Sequence, residues 1–151
     1  MTDPFPAIEF EGMVLGRHLA PANRQDGGDR LERSAYTLLT RLEVEGPMSI
    51  PQLSEAFGLD VSTLNRQTAG ILRAGFARRI ADPAGGIARK FEITESGRRQ
   101  LEAERETKLE GLHQILAGWS EDEVRDLART LRRFNTAIEA RDNRPWPRPG
   151  S

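Results

Sequence analysis

The sequence predicts a mainly α fold of the α+β class, in which a set of helices encloses one small β-hairpin. Three observations carry this prediction. Apolar residues recur at the helical spacing over residues 31–45 and again over residues 124–138. Two short helical stretches are separated by a single glycine, Gly58. The apolar period then drops to two on either side of Asp82-Pro83-Ala84-Gly85-Gly86.

Each element has its own signals. The chain of 151 residues is long enough for one domain with a single core. A first helix is expected over residues 8–20, where Ile8, Phe10, Met13, Val14 and Leu19 are loosely periodic. Residues 21–29 are rich in Gly, Asp, Asn and Pro and read as a loop. The helix over residues 31–45 carries Leu31, Ala35, Leu38, Leu39 and Leu42 on one face, and Gly46-Pro47 stops it. Ser49 is placed to cap a short helix ending at Phe57, and Gln52 three residues later completes a capping-box pattern. After Gly58, Asp60 is expected to cap a helix that runs to about Ala74, with Gly75 as its stop.

Phe76, Ile80, Phe91 and Ile93 belong to the two strands of the hairpin. Thr94 starts a long helix with apolar positions at Leu101, Leu109, Leu112, Leu116 and Trp119. Its first part, residues 98–108, is mostly polar and is expected to bridge rather than fill a core. Ser120 and Glu123 form a second capping box ahead of a helix with Val124, Leu127, Ala128, Leu131, Phe134 and Ile138 at 3–4 spacing. Residues 142–151 hold three prolines and one glycine and are expected to be a disordered tail, with Trp146 loosely packed in it.

Composition removes several function classes. The chain has no cysteine, which excludes thiol redox chemistry, cysteine nucleophiles, disulfides and cysteine-bound metal. Its two histidines, His18 and His113, have no acidic or histidine partner at a ligand spacing that stands out, so no metal site is expected. No Ser-His-Asp arrangement and no phosphate-cradling loop is present, so neither an enzyme nor a cofactor is expected. No basic-then-apolar leader follows Met1, and no apolar run approaches the ~18 residues of a membrane span. A cytoplasmic protein without a membrane partner is expected.

The net charge of −1 does not by itself indicate a polyanion partner, but its distribution does. Residues 60–90 hold six basic and two acidic side chains, a net of +4 on a chain that is otherwise acidic. Two short helices around a glycine turn, then a hairpin, form the outline of a winged helix-turn-helix. The N-terminal part of the second helix would meet base edges in the major groove, and it offers Ser62, Thr63, Asn65, Arg66 and Gln67. Arg can grip guanine through two parallel hydrogen bonds, and Asn or Gln can do so with adenine. Val61, Leu64, Thr68, Ile71 and Leu72 would face inward. Backbone N–H groups at Ser49 and Ile50 could point at a phosphate. Arg73, Arg78, Arg79, Arg89 and Lys90 are further phosphate candidates, which position a protein without reading sequence.

With these pieces in this order, the chain resembles the MarR family of transcriptional regulators over about residues 31–138. The resemblance is carried by Ser49-Ile50-Pro51-Gln52-Leu53-Ser54, Gly58-Leu59-Asp60-Val61-Ser62-Thr63-Leu64, Leu72-Arg73-Ala74-Gly75-Phe76, Asp82-Pro83 and Ile93-Thr94-Glu95-Ser96-Gly97. It departs from the family at the wing tip. Gly85, Gly86 and Ile87 precede Ala88 where the family usually has an acidic residue and one or two arginines, so the arginine that reaches the minor groove is absent.

The resemblance implies one domain over residues 1–141. Its winged lobe would span 31–97, and helices over 5–20 and 98–141 would interlock two copies into a homodimer. It also implies a cleft for a small aromatic ligand that weakens DNA binding, which Tyr36, Leu39 and Trp119 could line. The expected function is a sequence-specific, dimeric repressor that binds a pseudo-palindromic operator in double-stranded DNA and is released by that ligand. The alternative is a winged helix that contacts proteins, or an architectural DNA binder without sequence preference or ligand response.

Overall fold

The computed structural model describes residues 2–19 and 31–150. It divides into two compact units, residues 1–30 and 31–151. The first contains α1 (Phe5–Leu19). Phe5, Ile8, Phe10, Met13, Leu15 and Leu19 of α1 are all exposed, and the helix buries no residue. The loop expected over residues 21–29 lies outside the described residues.

In the second unit the order is α2 (Arg33–Glu45), α3 (Ile50–Phe57), α4 (Val61–Arg73), β1 (Ala77–Ala81), β2 (Arg89–Ile93), α5 (Glu95–Ile115) and α6 (Glu121–Asp142). The strands are antiparallel, with Arg79 opposite Phe91 and Arg78 opposite Glu92. Met48 adds a short bridge on the other edge of β2: its N–H donates to the Phe91 carbonyl (3.2 Å) and its carbonyl accepts from the Phe91 N–H (2.8 Å). This contact fixes the hairpin to the chain between α2 and α3.

The core lies where these elements meet. Leu38, Leu39 and Leu42 of α2, Leu53 of α3, Leu64 and Ile71 of α4, Phe91 and Ile93 of β2 and Leu101 of α5 are buried together. Both predicted capping boxes form. The Gln52 N–H donates to Ser49 Oγ, and the Ser49 N–H donates to Gln52 Oε1. Ser120 and Glu123 repeat the arrangement ahead of α6.

Thr94 caps α5 by accepting from the Gly97 N–H (3.0 Å), while its hydroxyl donates to the Gly75 carbonyl (2.6 Å). Gly97 is required there, because a Cβ would stand 2.1 Å from the Phe76 carbonyl oxygen. The helix after the wing can therefore sit tight against the start of β1.

Local features differ from the sequence reading, and Phe76, expected in the hairpin, precedes β1. Asp60 precedes α4 with an extended backbone, but its side chain makes no cap hydrogen bond. Val61, expected to face inward, is exposed, because the first turn of α4 projects past the core that begins at Leu64.

Candidate nucleic-acid interface

The site begins with the turn between α3 and α4. Gly58 ends α3 at φ +64, in the left-handed region that glycine enters without steric cost. The Ser54 hydroxyl donates to the Leu59 carbonyl at 2.6 Å and braces the turn. Helix α4 leaves this turn with two distinct faces. Leu64, Thr68 and Ile71 are buried, and the Thr68 hydroxyl is satisfied by the Leu64 carbonyl at 2.7 Å. Ser62, Asn65 and Arg66 are exposed, and Thr63 and Gln67 are half-buried beside them.

Asn65 and Arg66 thus stand free on a helix whose opposite face is fixed by the core. A rigid helix that presents hydrogen-bonding side chains outward can enter a major groove and meet base edges.

The cations around α4 differ in how free they are. Arg73 and Arg89 are exposed. Arg79 is exposed with its guanidinium carbon 5.7 Å from the centre of the Phe91 ring. Arg78 gives Nε and one terminal nitrogen to Glu92 Oε1, at 3.0 and 2.6 Å, so its charge is locally matched. Lys90 is largely covered and lies 3.5 Å from Asp82 Oδ1. Ile87 at the wing tip is wholly exposed.

Ser49 is buried, and both its hydroxyl and its N–H are engaged in the capping box. Pro51 has no N–H, so the free donor at the start of α3 narrows to Ile50.

The expected ligand residues are not grouped. Leu39 is fully buried in the core and has no surface to offer a ligand. Tyr36 is half-buried under Lys108, whose Nζ is 4.8 Å from the ring centre. Trp119 lines a groove with Leu109, Leu112, Leu116 and Val124, where α5 gives way to α6.

Comparison with known proteins gives a consistent answer. A model of the MarR family matches residues 31–84, from α2 to the wing turn. The chain is 36% identical over 139 residues to the HTH-type transcriptional regulator YxaD of Bacillus subtilis (strain 168), which covers 90% of this chain and 96% of that protein. Among solved structures, it is similar in fold to MarR, with a TM-score of 0.73 at 21% identity over 95% of this chain and 98% of that one. It is also similar to the PcaV transcriptional regulator of Streptomyces coelicolor, solved in complex with its natural ligand. There the TM-score is 0.56 at 19% identity, over 92% of this chain and 99% of that one.

Proposed function

The chain belongs to the MarR family of transcriptional regulators, and on that premise we propose that it is a dimeric, sequence-specific DNA-binding repressor whose hold on DNA a small aromatic ligand weakens. The observation that carries this reading is the two-faced α4, with Asn65 and Arg66 exposed and Leu64, Thr68 and Ile71 locked in the core. Arg66, Asn65 and Gln67, with Ser62 and Thr63, read bases. Arg73, Arg79 and Arg89 bind phosphates, joined by Lys90 when its pairing with Asp82 yields and by the Ile50 N–H.

Two exposed apolar surfaces support the dimer. Helix α6 buries none of its residues, yet Leu131, Phe134 and Ile138 recur along it, and α1 carries its own row of exposed apolar residues. Such faces are unfavourable in water and are stabilised when a second copy covers them. The ligand reading rests on the apolar groove that Trp119 lines with Leu109, Leu112, Leu116 and Val124, and on the fact that PcaV was solved with its natural ligand.

Duplex binding over a salt series tests the function directly. Each neutralised phosphate adds about 0.9 to the slope of log K against log salt. A steep slope supports DNA binding. A flat one favours a winged helix that contacts proteins, the reading suggested by the uncharged wing tip.

A further inference from the structure

After α6 the chain turns back and sets Arg144 and Trp146 against the helix-turn-helix. Asn143 ends α6 in the left-handed region, at φ +53, and turns the chain. Arg144 then donates from Nε to the Glu55 carbonyl of α3 at 3.2 Å. Its guanidinium lies over the turn glycine, so close that a Cβ on Gly58 would meet Arg144 Cζ at 2.8 Å.

Trp146 follows, with its ring centre 5.3 Å from that of Phe57 at the end of α3. The guanidinium carbon of Arg41, a buried residue of α2, is 4.8 Å from the same indole. The backbone N–H of Trp146 donates to Glu139 Oε1 at 2.6 Å. Arg148 gives one terminal nitrogen to Glu139 Oε1 and the other to Oε2, at 2.6 and 2.7 Å. One short segment thus grips α6 through Glu139, α2 through Arg41, and α3 through Glu55 and Phe57.

We propose that residues 144–148 form a strap that fixes the α3–α4 reading unit to α6, and that Trp146 is a positioning residue for DNA reading. The proposal rests on the DNA-binding reading given above. Helix α6 buries no residue of its own, so a core does not hold it in register with the helix-turn-helix. The strap does so through a tilted aromatic pair, a cation–π contact and a two-point Arg–carboxylate bond, all of which depend on direction. If α6 pairs two copies, any rocking of α3–α4 against it changes the distance between the two reading helices. That distance must match one turn of DNA, about 34 Å.

The test compares the parental protein with Trp146→Ala, Trp146→Phe and Glu139→Gln. Glu139→Gln removes the charge and one of the two acceptors that hold Arg148, while leaving the core untouched. Hydrogen exchange of the amides of residues 55–59 reports docking. Binding to the duplex enriched from a random pool, and to versions with one base pair added or removed between half-sites, reports positioning.

Trp146→Ala and Glu139→Gln are expected to speed exchange at residues 55–59. Trp146→Ala is also expected to weaken the preferred duplex about tenfold, the size expected when an aromatic pair and a cation–π contact are lost together. It should blunt discrimination against altered spacing, and Trp146→Phe should restore much of it. Unchanged exchange in both variants overturns the docking. Faster exchange with unchanged affinity and unchanged spacing preference overturns the positioning role. A parental protein with no sequence preference overturns the DNA reading and the positioning role with it, while exchange still separates a docked strap from a loose one.

Discussion

Lys90 reaches across the wing to Asp82, with its Nζ 3.5 Å from Oδ1 and both side chains largely covered. The same carboxylate oxygen accepts the Ala84 N–H at 2.9 Å, so Asp82 both shapes the turn and holds the lysine. Arg89, one residue earlier on the same strand, is exposed. The two wing cations are therefore unequal.

Arg89 is expected to supply most of the wing's phosphate binding. The double variant Arg89→Ala with Lys90→Ala should flatten log K against log salt by up to about two contacts, each worth about 0.9. Arg89→Ala alone should account for more than half of that change, and the preferred sequence should not move. A parental slope in the double variant places the wing off the DNA.

The wing tip gives a gain-of-function test. Narrow A·T-rich minor grooves attract arginine. A Cβ on Gly86 would meet Asp82 Oδ2 at 2.6 Å and disturb the turn, whereas Ile87 is wholly exposed. Ile87→Arg should strengthen binding, most of all when A·T-rich sequence flanks the half-site. Equal strengthening on G·C-rich flanks would show that the added charge meets only phosphate.

Gly97 tests the packing that carries the wing. Its position leaves 2.1 Å between an added Cβ and the Phe76 carbonyl oxygen, which is backbone and cannot swing aside. Gly97→Ala should destabilise the fold by about 1–3 kcal/mol, as overpacking does. Denaturant unfolding measures this, and a variant within about 0.5 kcal/mol of the parent, as at an ordinary surface position, would mean that α5 shifts freely.

Much of this was legible in the sequence because it is local. The capping boxes at Ser49 and Ser120, the glycine turn at Gly58 and the change of period around Asp82 each depend on residues a few positions apart. The strap was not legible, for the opposite reason. Arg144 and Glu55 are 89 residues apart, and Trp146 sits among prolines with no periodicity to place it. Composition alone suggested a loose tail there. Arg41 was likewise missed, because a charged residue on α2 reads as solvent-facing until Trp146 covers it. At the interface, residue types marked Lys90 and Arg78 as phosphate contacts equal to Arg89. Their carboxylate partners, Asp82 and Glu92, are found only across the hairpin.

The Glu139–Arg148 pair has a defined pH response. The Arg148 hydrogen bonds are the largest influence holding the Glu139 carboxyl down at about 2, from an ordinary 4.5, with the Trp146 N–H adding to them against some burial. A carboxyl depressed in the folded state contributes stability in full above its unfolded value and loses it as pH falls through the folded one. The stability that the pair contributes should therefore shrink as pH falls from about 4.5 to about 2, while in the folded protein the carboxylate stays ionised until pH nears about 2. In a Trp119→Phe background, Trp146 is the remaining tryptophan and reports the strap by its emission. Its signal should stay level from neutral pH to about 3 and change only in more acid solution. A transition centred at the ordinary carboxyl value would show that Arg148 does not hold Glu139.

Arg66 separates base reading from phosphate binding. It is exposed on α4 beside Asn65, and an arginine so presented is able to grip guanine by two hydrogen bonds. Arg66→Ala should cost about 1–3 kcal/mol on the preferred duplex and relax preference at one position in each half-site. An equal loss on every sequence would make it a phosphate contact.

Selection of bound duplexes from a random pool, followed by footprinting, tests the central claim most directly. In the proposed dimer, two α4 helices related by a two-fold axis would enter successive major grooves on one face of the DNA. The enriched sequences should therefore form a pseudo-palindrome with half-site centres about 10 base pairs apart, protected on one face. Enrichment of a single asymmetric half-site bound by a monomer, or no enrichment at all, would contradict it.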